Sequence, residues 1–193
     1  MPDQIQGAST SQLHRTCAII RQDPFRMRCL RAVRELSLPD WFIAAGFVRN
    51  AIWDALHEQS STPLNDVDLV YYDKDNVSRD SEMRLQERLT SLCPDAVWQV
   101  KNQARMHTKY GRAPYTDCSD AIAHWIELPT CVGVRLQPDD GLLVCAPFGL
   151  SAVFSLQVAI NPRYPQPAVF RQRVKQKNWQ ANWPQLHIVS AQA

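Results

Sequence analysis

The feature that most constrains the fold is a glycine that separates a short apolar run from a helical pattern. Residues 41–45 are all apolar and are bounded by turn residues, which is typical of a buried strand, although periodicity alone does not distinguish such a run from one turn of a core helix. Gly46 interrupts the run, and Val48, Ile52 and Leu56 then recur every four residues. The sequence therefore predicts a strand, a tight turn and a helix in succession.

An alternating pattern of carboxylates and hydrophobic residues follows this helix after a polar connection. In residues 66–72, Asp66 and Asp68 are separated by one hydrophobic residue, and because strand side chains alternate between faces, both carboxylates project to the same side. Oxygen ligands at this spacing suit Mg²⁺ or Mn²⁺, which proteins bind through one or two carboxylates together with substrate phosphates. An edge strand with a solvated acidic face has the same pattern, so the pair alone leaves both interpretations open.

The glycine turn has the features of an anion site. The first N–H groups of a helix are free to bind a phosphate, and a residue without a side chain lets a ligand approach the backbone. Arg49 lies in the first turn of the predicted helix and offers a forked donor to phosphate oxygens. In the alternative interpretation, Gly46 only reverses the chain and Arg49 pairs with a carboxylate such as Asp54 or Asp66. Together, the turn and the carboxylate strand predict a site for a triphosphate and its divalent ion.

In order and spacing, the two segments resemble the nucleotidyltransferase superfamily typified by DNA polymerase beta, and within it the head of the tRNA CCA-adding enzymes and poly(A) polymerases. That group has a turn of two glycines, a variable residue and Val-Arg-Asp before an Asp-x-Asp strand. Residues 45–50 here read Ala-Gly-Phe-Val-Arg-Asn, so one glycine is alanine and the aspartate is Asn50. Residues 102–107, 146–150 and 179–184 also resemble a smaller bacterial family of nucleotidyltransferase-like proteins with no assigned substrate.

The resemblance implies a fold, an activity and a set of site residues. The fold is α/β (α+β), a polymerase-beta-like nucleotidyltransferase core with a small mixed sheet flanked by helices. The activity is the transfer of a nucleoside monophosphate from a nucleoside triphosphate to an acceptor hydroxyl, with release of pyrophosphate and with Mg²⁺ or Mn²⁺ as the cofactor. The nucleotide-binding residues are then Gly46, Phe47, Arg49 and Asn50, and the catalytic and metal-binding residues are Asp66 and Asp68.

A third carboxylate is harder to find. In the two-metal scheme, an acid from a neighbouring strand usually helps to hold the second ion, but the strand predicted at residues 97–101 ends at Asn102, and no Asp or Glu occurs between Asp95 and Asp117. Asn102 could ligate a cation weakly or cap the following segment. Asp120 is the alternative acid, and Asp73 and Glu127 are weaker candidates.

Two further positions bear on activity. The resemblance leads us to expect an acidic pair after Leu150, where this chain has Ser151 and Ala152. Arg105 could extend a phosphate-binding surface, or it could be a solvated residue after a strand. A second hypothesis therefore stands beside the enzyme: a catalytically weakened relative that binds a nucleotide or a partner without turnover.

The length of 193 residues predicts one domain over residues 11–193, preceded by a disordered segment at residues 1–10. Helices are expected at residues 12–22, from Pro24 with Asp23 as the cap, at residues 80–92, and at residues 119–126 with Ser119 as the cap. Residues 131–136 and 142–146 predict a hairpin. The basic run at residues 171–177, followed by Trp179 and Trp183, is interpreted as a helix face and a tail packed on the domain, although single-stranded nucleic-acid binders combine the same residue types.

The net charge and the hydropathy of the chain limit the classes of partner that it can be expected to bind. A net charge of +2 argues against a protein that coats DNA, but it permits a local basic site. The N-terminus lacks the pattern of a signal peptide, and the apolar stretches are too short to cross a bilayer, so we expect a cytoplasmic protein with reduced cysteines and no membrane contact. The expected partners are a nucleoside triphosphate and an unknown acceptor. Because the head is not accompanied by a recognisable RNA-binding domain, a small molecule or a protein is favoured over RNA.

Overall fold

A five-stranded mixed sheet forms the centre of the protein. In the computed structural model, which describes residues 9–189, the strand order is β3-β2-β1-β4-β5. β1 is antiparallel to both of its neighbours, β2 and β4; β4 and β5 form the predicted antiparallel hairpin; and β2 and β3 are parallel. The strands are β1 (Trp41–Ala44), β2 (Val67–Tyr71), β3 (Trp98–Asn102), β4 (Gly133–Leu136) and β5 (Leu142–Cys145).

Eight helices lie in the described part of the chain, and together with the mixed sheet they confirm the predicted fold class. They are α1 (Thr10–Gln22), α2 (Pro24–Arg34), α3 (Gly46–Leu56), α4 (Arg79–Leu92), α5 (Gln103–Lys109), α6 (Cys118–Ile122), α7 (Ser151–Phe154) and α8 (Pro167–Lys177). Two short 3-10 helices, Leu128–Thr130 and Trp179–Ala181, and a small parallel pair of strands, β6 (Gln157–Val158) and β7 (His187–Ile188), complete the fold.

Capping explains where several helices begin. Asp23 accepts a hydrogen bond from the backbone N–H of Arg26, and Pro24 occupies the first helical position, so α2 begins as predicted. α1 begins at Thr10, two residues earlier than expected, with Ser9 as its cap. The predicted cap of α6 is wrong: Asp117, rather than Ser119, accepts the bond from the backbone of Asp120, and α6 ends at Ile122 instead of continuing to residue 126.

The two faces of the sheet are covered unequally. Strand alternation places Ile43 and Leu69 in a large apolar cluster with α1, α2, α3 and α4. The opposite face carries a smaller cluster that includes Phe42, Ala44 and Val70. Asp68 is two residues from Val70 on the same strand and so lies on this second face. The carboxylate strand therefore presents its acidic end where the apolar cover is thinner.

The C-terminal tail packs against α3. The ring centroid of Trp53 lies 6.1 Å from that of Trp179 and 5.2 Å from that of Trp183, and the Trp183 indole donates a hydrogen bond of 2.8 Å to Asp54. Both tail tryptophans are buried. The interpretation of residues 171–183 as a basic helix followed by a packed tail is therefore confirmed.

The predicted disorder at residues 1–10 falls mostly outside the described residues, and the assignment of residues 11–193 to one domain stays a prediction. Within residues 9–189, none of the helices combines the length and the apolar character that a bilayer span requires.

Candidate active site

The turn between β1 and α3 is strained at Ala45. This alanine has φ 54° and ψ −120°, a combination that a residue with a side chain rarely adopts. It is held on both sides, because its N–H donates to the carbonyl of Val132 at 2.8 Å and its carbonyl accepts from the backbone of Val48 and Arg49. The residue that reverses the chain is thus Ala45, whereas the sequence pointed to Gly46.

Gly46 is instead the first residue of α3, and its missing side chain leaves the helix end open. The nearest atoms to a Cβ at this position would be side-chain atoms of Arg49 and Asn50, at 3.5 and 3.6 Å, which are ordinary contacts. Within the described part of the chain, no side chain forms a capping hydrogen bond at the start of α3. Phe47 is 1% exposed, with its ring in the core, so only its backbone can belong to the predicted site. The open helix end is an anion-binding feature.

Arg49 is a buried cation whose hydrogen bonds go to neutral oxygens. It donates to Thr130 Oγ1 at 2.8 Å and, through Nε and Nη2, to Asn50 Oδ1, while its guanidinium lies 4.9 Å from the ring centroids of Trp53 and Trp179. Burial lowers its pKa to about 10, and the nearby Glu127 opposes that shift, so Arg49 remains charged at neutral pH. A buried charge with neutral partners favours an incoming anion.

The pairing of Arg49 with Asp54, which the sequence left open, is not found. Asp54 instead accepts hydrogen bonds from the backbone and the hydroxyl of Thr62, from Gln59 and from Trp183. This aspartate has a structural task, because it fastens the loop after α3 and the C-terminal tail to the helix. Arg49 is therefore held in place without being neutralised.

Asp66 and Asp68 lie in one cleft with the open end of α3. The cleft measures about 310 Å³, and its lining includes both carboxylates together with Gly46, Arg49 and Asn50. Burial, and then repulsion from Asp66, raise the pKa of Asp68 to about 6, although Lys177, Arg49 and Arg173 act in the opposite direction. Asp66 also accepts a hydrogen bond of 2.9 Å from Gln99. Two crowded carboxylates beside an anion site fit a hard divalent cation, which would relieve their repulsion.

Two residues of the cleft come from α8 and were not part of the site predicted from the sequence. Arg173 and Lys177 both line the cleft, although the basic run was interpreted only as a helix face. Arg173 is held by the fully buried Glu127, to which its Nε donates at 2.5 Å. Their spacing of four residues puts both side chains on one face of a helix, and this was the available signal.

The structure does not bring Asn102 to the carboxylates. In the parallel pairing of β2 with β3, Asp68 lies opposite Gln99, whereas Asn102 lies opposite Tyr71, three residues or about 10 Å farther along the strand. Asn102 is fully buried; its side chain accepts from the backbone of Ala104 and Asp73 and donates to the carbonyls of Asp73 and Asn76. The capping alternative is therefore the observed one.

Arg105 and Asp120 also lie away from the cleft. Arg105 forms a bidentate ion pair with Glu82, and Asp120 accepts hydrogen bonds from Arg163 and from the backbone of Thr116. Each of the two lines a different cavity on the surface. Neither residue therefore joins the cleft as the sequence predicted, and each forms an ion pair elsewhere on the protein.

Among residues 9–189, the strand face beside Asp68 carries no third acid. Gln99 and Lys101 are the β3 residues that share this face, because they alternate with the buried Trp98 and Val100. Over residues 9–189, no group of three or more His, Cys, Asp or Glu residues is arranged to hold a metal ion. The site therefore offers two carboxylates.

Comparisons with known proteins show the family of the chain. The sequence model of the family described as "Nucleotidyltransferase" matches residues 31–188. An NMR structure described as revealing a CCA-adding enzyme head domain is 30% identical, with a TM-score of 0.82, and the alignment covers 92% of this chain and 96% of that one. No curated protein sequence matches the chain significantly.

More distant structures show the same fold. A complex of a CCA-adding enzyme with CTP aligns with a TM-score of 0.52 at 14% identity, over 90% of this chain and 43% of that one. A tRNA-processing enzyme aligns with a TM-score of 0.52 at 14% identity, over 83% of this chain and 43% of that one. The resemblance found in the turn and the Asp-x-Asp strand is thereby confirmed, and the protein belongs to the nucleotidyltransferase family.

Proposed function

We propose that the protein transfers a nucleoside monophosphate from a nucleoside triphosphate to an acceptor hydroxyl and releases pyrophosphate. The observation that carries this proposal is the division of charge in the cleft, where the paired carboxylates Asp66 and Asp68 share one cavity with the open end of α3 and the buried Arg49. Such a cavity suits a ligand that is itself a polyanion accompanied by a divalent cation. A nucleoside triphosphate has this chemistry.

The basic groups of the cleft would orient the triphosphate. The backbone amides at Gly46 and Phe47 and the guanidinium of Arg49 would bind phosphate oxygens, and Lys177 at the exposed end of α8 would add a second cation. Arg49 is well prepared for this task, because its two tryptophan neighbours and Thr130 already fix the guanidinium before a ligand arrives. Such preorganisation reduces the entropy lost on binding.

Asp66 and Asp68 would hold Mg²⁺ or Mn²⁺. When bound, the ion would polarise the phosphate and stabilise the charge that develops on the phosphoryl oxygens. The two carboxylates fit this role because they lie on one face, and because burial, and then repulsion from Asp66, raise the pKa of Asp68, a cost that a bound cation would reduce. In the proposed reaction the acceptor oxygen bonds to the α-phosphorus, the bridging bond to the β-phosphate breaks, pyrophosphate takes the electron pair, and the hydroxyl proton passes to solvent.

The test is metal-dependent binding followed by label transfer. Calorimetric titration with a nucleoside triphosphate analogue that cannot be cleaved between the α- and β-phosphates should show binding with Mg²⁺ and much weaker binding with EDTA. Asp66→Asn should abolish the metal dependence, whereas Asp75→Asn, at an exposed position outside the cleft, should leave it intact. Transfer of label from α-labelled nucleoside triphosphates to candidate acceptors, lost in Asp66→Asn, would establish turnover. Equal affinity with and without metal would refute the proposal.

One observation favours the second candidate, a relative that binds nucleotide without turnover. Gln99 and Lys101 occupy the strand face next to Asp68 where a third acid would serve a second metal ion. Binding that depends on Mg²⁺, with no label transfer to any acceptor at any nucleotide, would support this candidate over the enzyme. The same two assays therefore separate the hypotheses.

A further inference from the structure

A second cavity lies on the other side of Asp68 from the open helix end. It measures about 360 Å³ and shares Ala45, Asp68, Thr130 and Arg173 with the first cleft, so these residues form the boundary between the two. Gly46 and Asp66 line only the first cleft. The characteristic residues of the second cavity are Gln99, Lys101, Lys109, Arg112, Tyr115 and His124.

The charge of this cavity is positive. Lys101, Lys109 and Arg112 line it, and Asp68 at the boundary is the one acidic residue in its lining, as far as the described residues extend. Lys101 and Lys109 are exposed, and no ion pair involving either is found over residues 9–189. Arg112 is more firmly held, since its Nη1 donates to the hydroxyl of Tyr115 at 2.9 Å and to the carbonyl of His124 at 3.1 Å. An anionic group would find here two lysines that have no carboxylate partner among residues 9–189.

The wall of the cavity is aromatic. Tyr115 is buried, and its ring centroid lies 5.1 Å from that of His124 with an interplanar angle of 38°. His124 is fixed in turn, because its Nδ1 lies 2.7 Å from the carbonyl of Asp120. Trp125 and Tyr110 extend this wall. Fixed flat side chains favour a planar ring, and the volume is that of a small-molecule site.

The position of the second cavity can be compared with the geometry that phosphoryl transfer requires. The attacking and leaving oxygens lie roughly in line on opposite sides of the phosphorus, so the acceptor and the pyrophosphate must approach from opposite directions. With the triphosphate at the open end of α3, the space left for the acceptor is on the far side of Asp68. The second cavity occupies that side and reaches Asp68 directly.

We infer that the second cavity is the acceptor site, and that the acceptor is a small molecule with a planar ring and a phosphate group. Its phosphate contacts Lys101 and Lys109, its ring packs against Tyr115 and His124, and its hydroxyl reaches Asp68. This inference rests on the proposed function, because it takes the first cleft as the site of the triphosphate. Lys101 lies on the strand next to Asp68, on the face where a third carboxylate would hold a second metal ion. In this protein the lysine would instead bind the phosphate of the acceptor.

The experiment titrates ring-bearing phosphates into protein already saturated with Mg²⁺ and the uncleavable triphosphate analogue. The probes are adenosine 5′-phosphate, pyridoxine 5′-phosphate and riboflavin 5′-phosphate, each compared with its dephosphorylated form. At least one phosphate should bind, and its dephosphorylated form should bind about 10-fold or more weakly, as expected for the loss of charge-assisted hydrogen bonds. Lys101→Ala should lower the affinity for the ring-bearing phosphate by a similar factor and leave the affinity for the triphosphate analogue unchanged.

Lys74→Ala is the matched control, because Lys74 is also exposed but lines neither cavity. If Lys101→Ala lowers the affinity for the triphosphate analogue itself, the second cavity holds part of that nucleotide and the inference is overturned. Binding of a single-stranded RNA hexamer in place of every small phosphate would overturn it as well, as would the absence of binding by all probes. Failure of the triphosphate analogue to bind the wild-type protein would instead refute the proposed function.

Discussion

Replacing Asp68 with asparagine should stabilise the metal-free protein. The pKa of Asp68 is raised from its ordinary value of 3.8 to about 6, first by burial and then by Asp66, so the ionised carboxylate opposes folding. A difference of about two pKa units corresponds to about 3 kcal/mol at a pH where the group is charged in both states. Asn keeps the shape and removes the charge. We therefore expect Asp68→Asn to raise the free energy of unfolding by about 1 to 3 kcal/mol at pH 8 in EDTA.

The pH dependence follows from the direction of the shift. Because the folded pKa lies above the unfolded one, the native state binds more protons between these values, and the contribution of Asp68 to stability is lost as the pH rises through about 6. The advantage of Asp68→Asn should thus be complete above pH 7 and should disappear below pH 4. Urea unfolding at several pH values, with Mg²⁺ absent, measures both the size and the pH window.

Asp54→Asn is the matched control for this experiment. Asp54 does not line the cleft, but it accepts hydrogen bonds from Thr62 and Trp183, which do. Both of its carboxylate oxygens are used, and Gln59 donates to one of them as well, so an amide there would turn a donor toward other donors. We expect this variant to lose about 1 to 3 kcal/mol. A loss of stability in Asp68→Asn, or a gain that does not change with pH, would show that the crowding of the two carboxylates does not act as described.

The other predictions concern the turn, the cleft and α8. Ala45→Gly should raise the free energy of unfolding by about 1 kcal/mol in urea denaturation, because glycine adopts the positive φ without strain; a clear loss would contradict that view of the turn. Arg49→Lys should weaken the triphosphate analogue about 10-fold or more in calorimetry, since lysine cannot reproduce the forked contacts, and unchanged affinity would remove Arg49 from the site. Lys177→Ala should weaken the analogue, whereas Lys175→Ala, on the same helix but outside the cleft, should not; equal effects would indicate a general influence of charge. Glu127→Ala should cost about 1 to 3 kcal/mol in urea unfolding because it removes the charge-assisted hydrogen bonds of the partly exposed Arg173, and a neutral outcome would show that the pair is dispensable.

Local patterns predicted the centre of the fold well. The apolar run before Gly46, the helical period of Val48, Ile52 and Leu56, and the alternation around Asp66 and Asp68 each depend on a few neighbouring residues, and each appears in the structure as expected. The convergence of the turn and the strand was inferred from their combination, and residues of both segments line one cleft in the structure. Segments with strong periodicity carry this information in the sequence itself.

The remaining features depend on contacts between distant residues. The register that sets Gln99, rather than Asn102, beside Asp68 is decided by the pairing of two strands, which no single segment reveals. Arg173 reaches the site because α8 docks on Glu127, 46 residues earlier in the chain. The positive φ of Ala45 follows from its hydrogen bonds on both sides, whereas residue preference had pointed to the adjacent glycine. Tertiary constraint decided each of these points.

Because Trp179 stacks on Arg49, binding of the proposed nucleotide would report whether the C-terminal segment is docked. The cleft is formed by α3, by the strand that begins at Val67, and by a C-terminal segment more than a hundred residues later. The side of the cleft formed by that segment is present only while the segment is docked. A ligand that needs all of these segments would bind only the state in which residues 167–183 are docked. Raising its free concentration should therefore shift the equilibrium between the docked and the undocked segment toward the docked state. Amide hydrogen exchange in that segment should slow as nucleotide is added, and the C-terminal helix would then report occupancy of a site centred on the opposite end of the sequence.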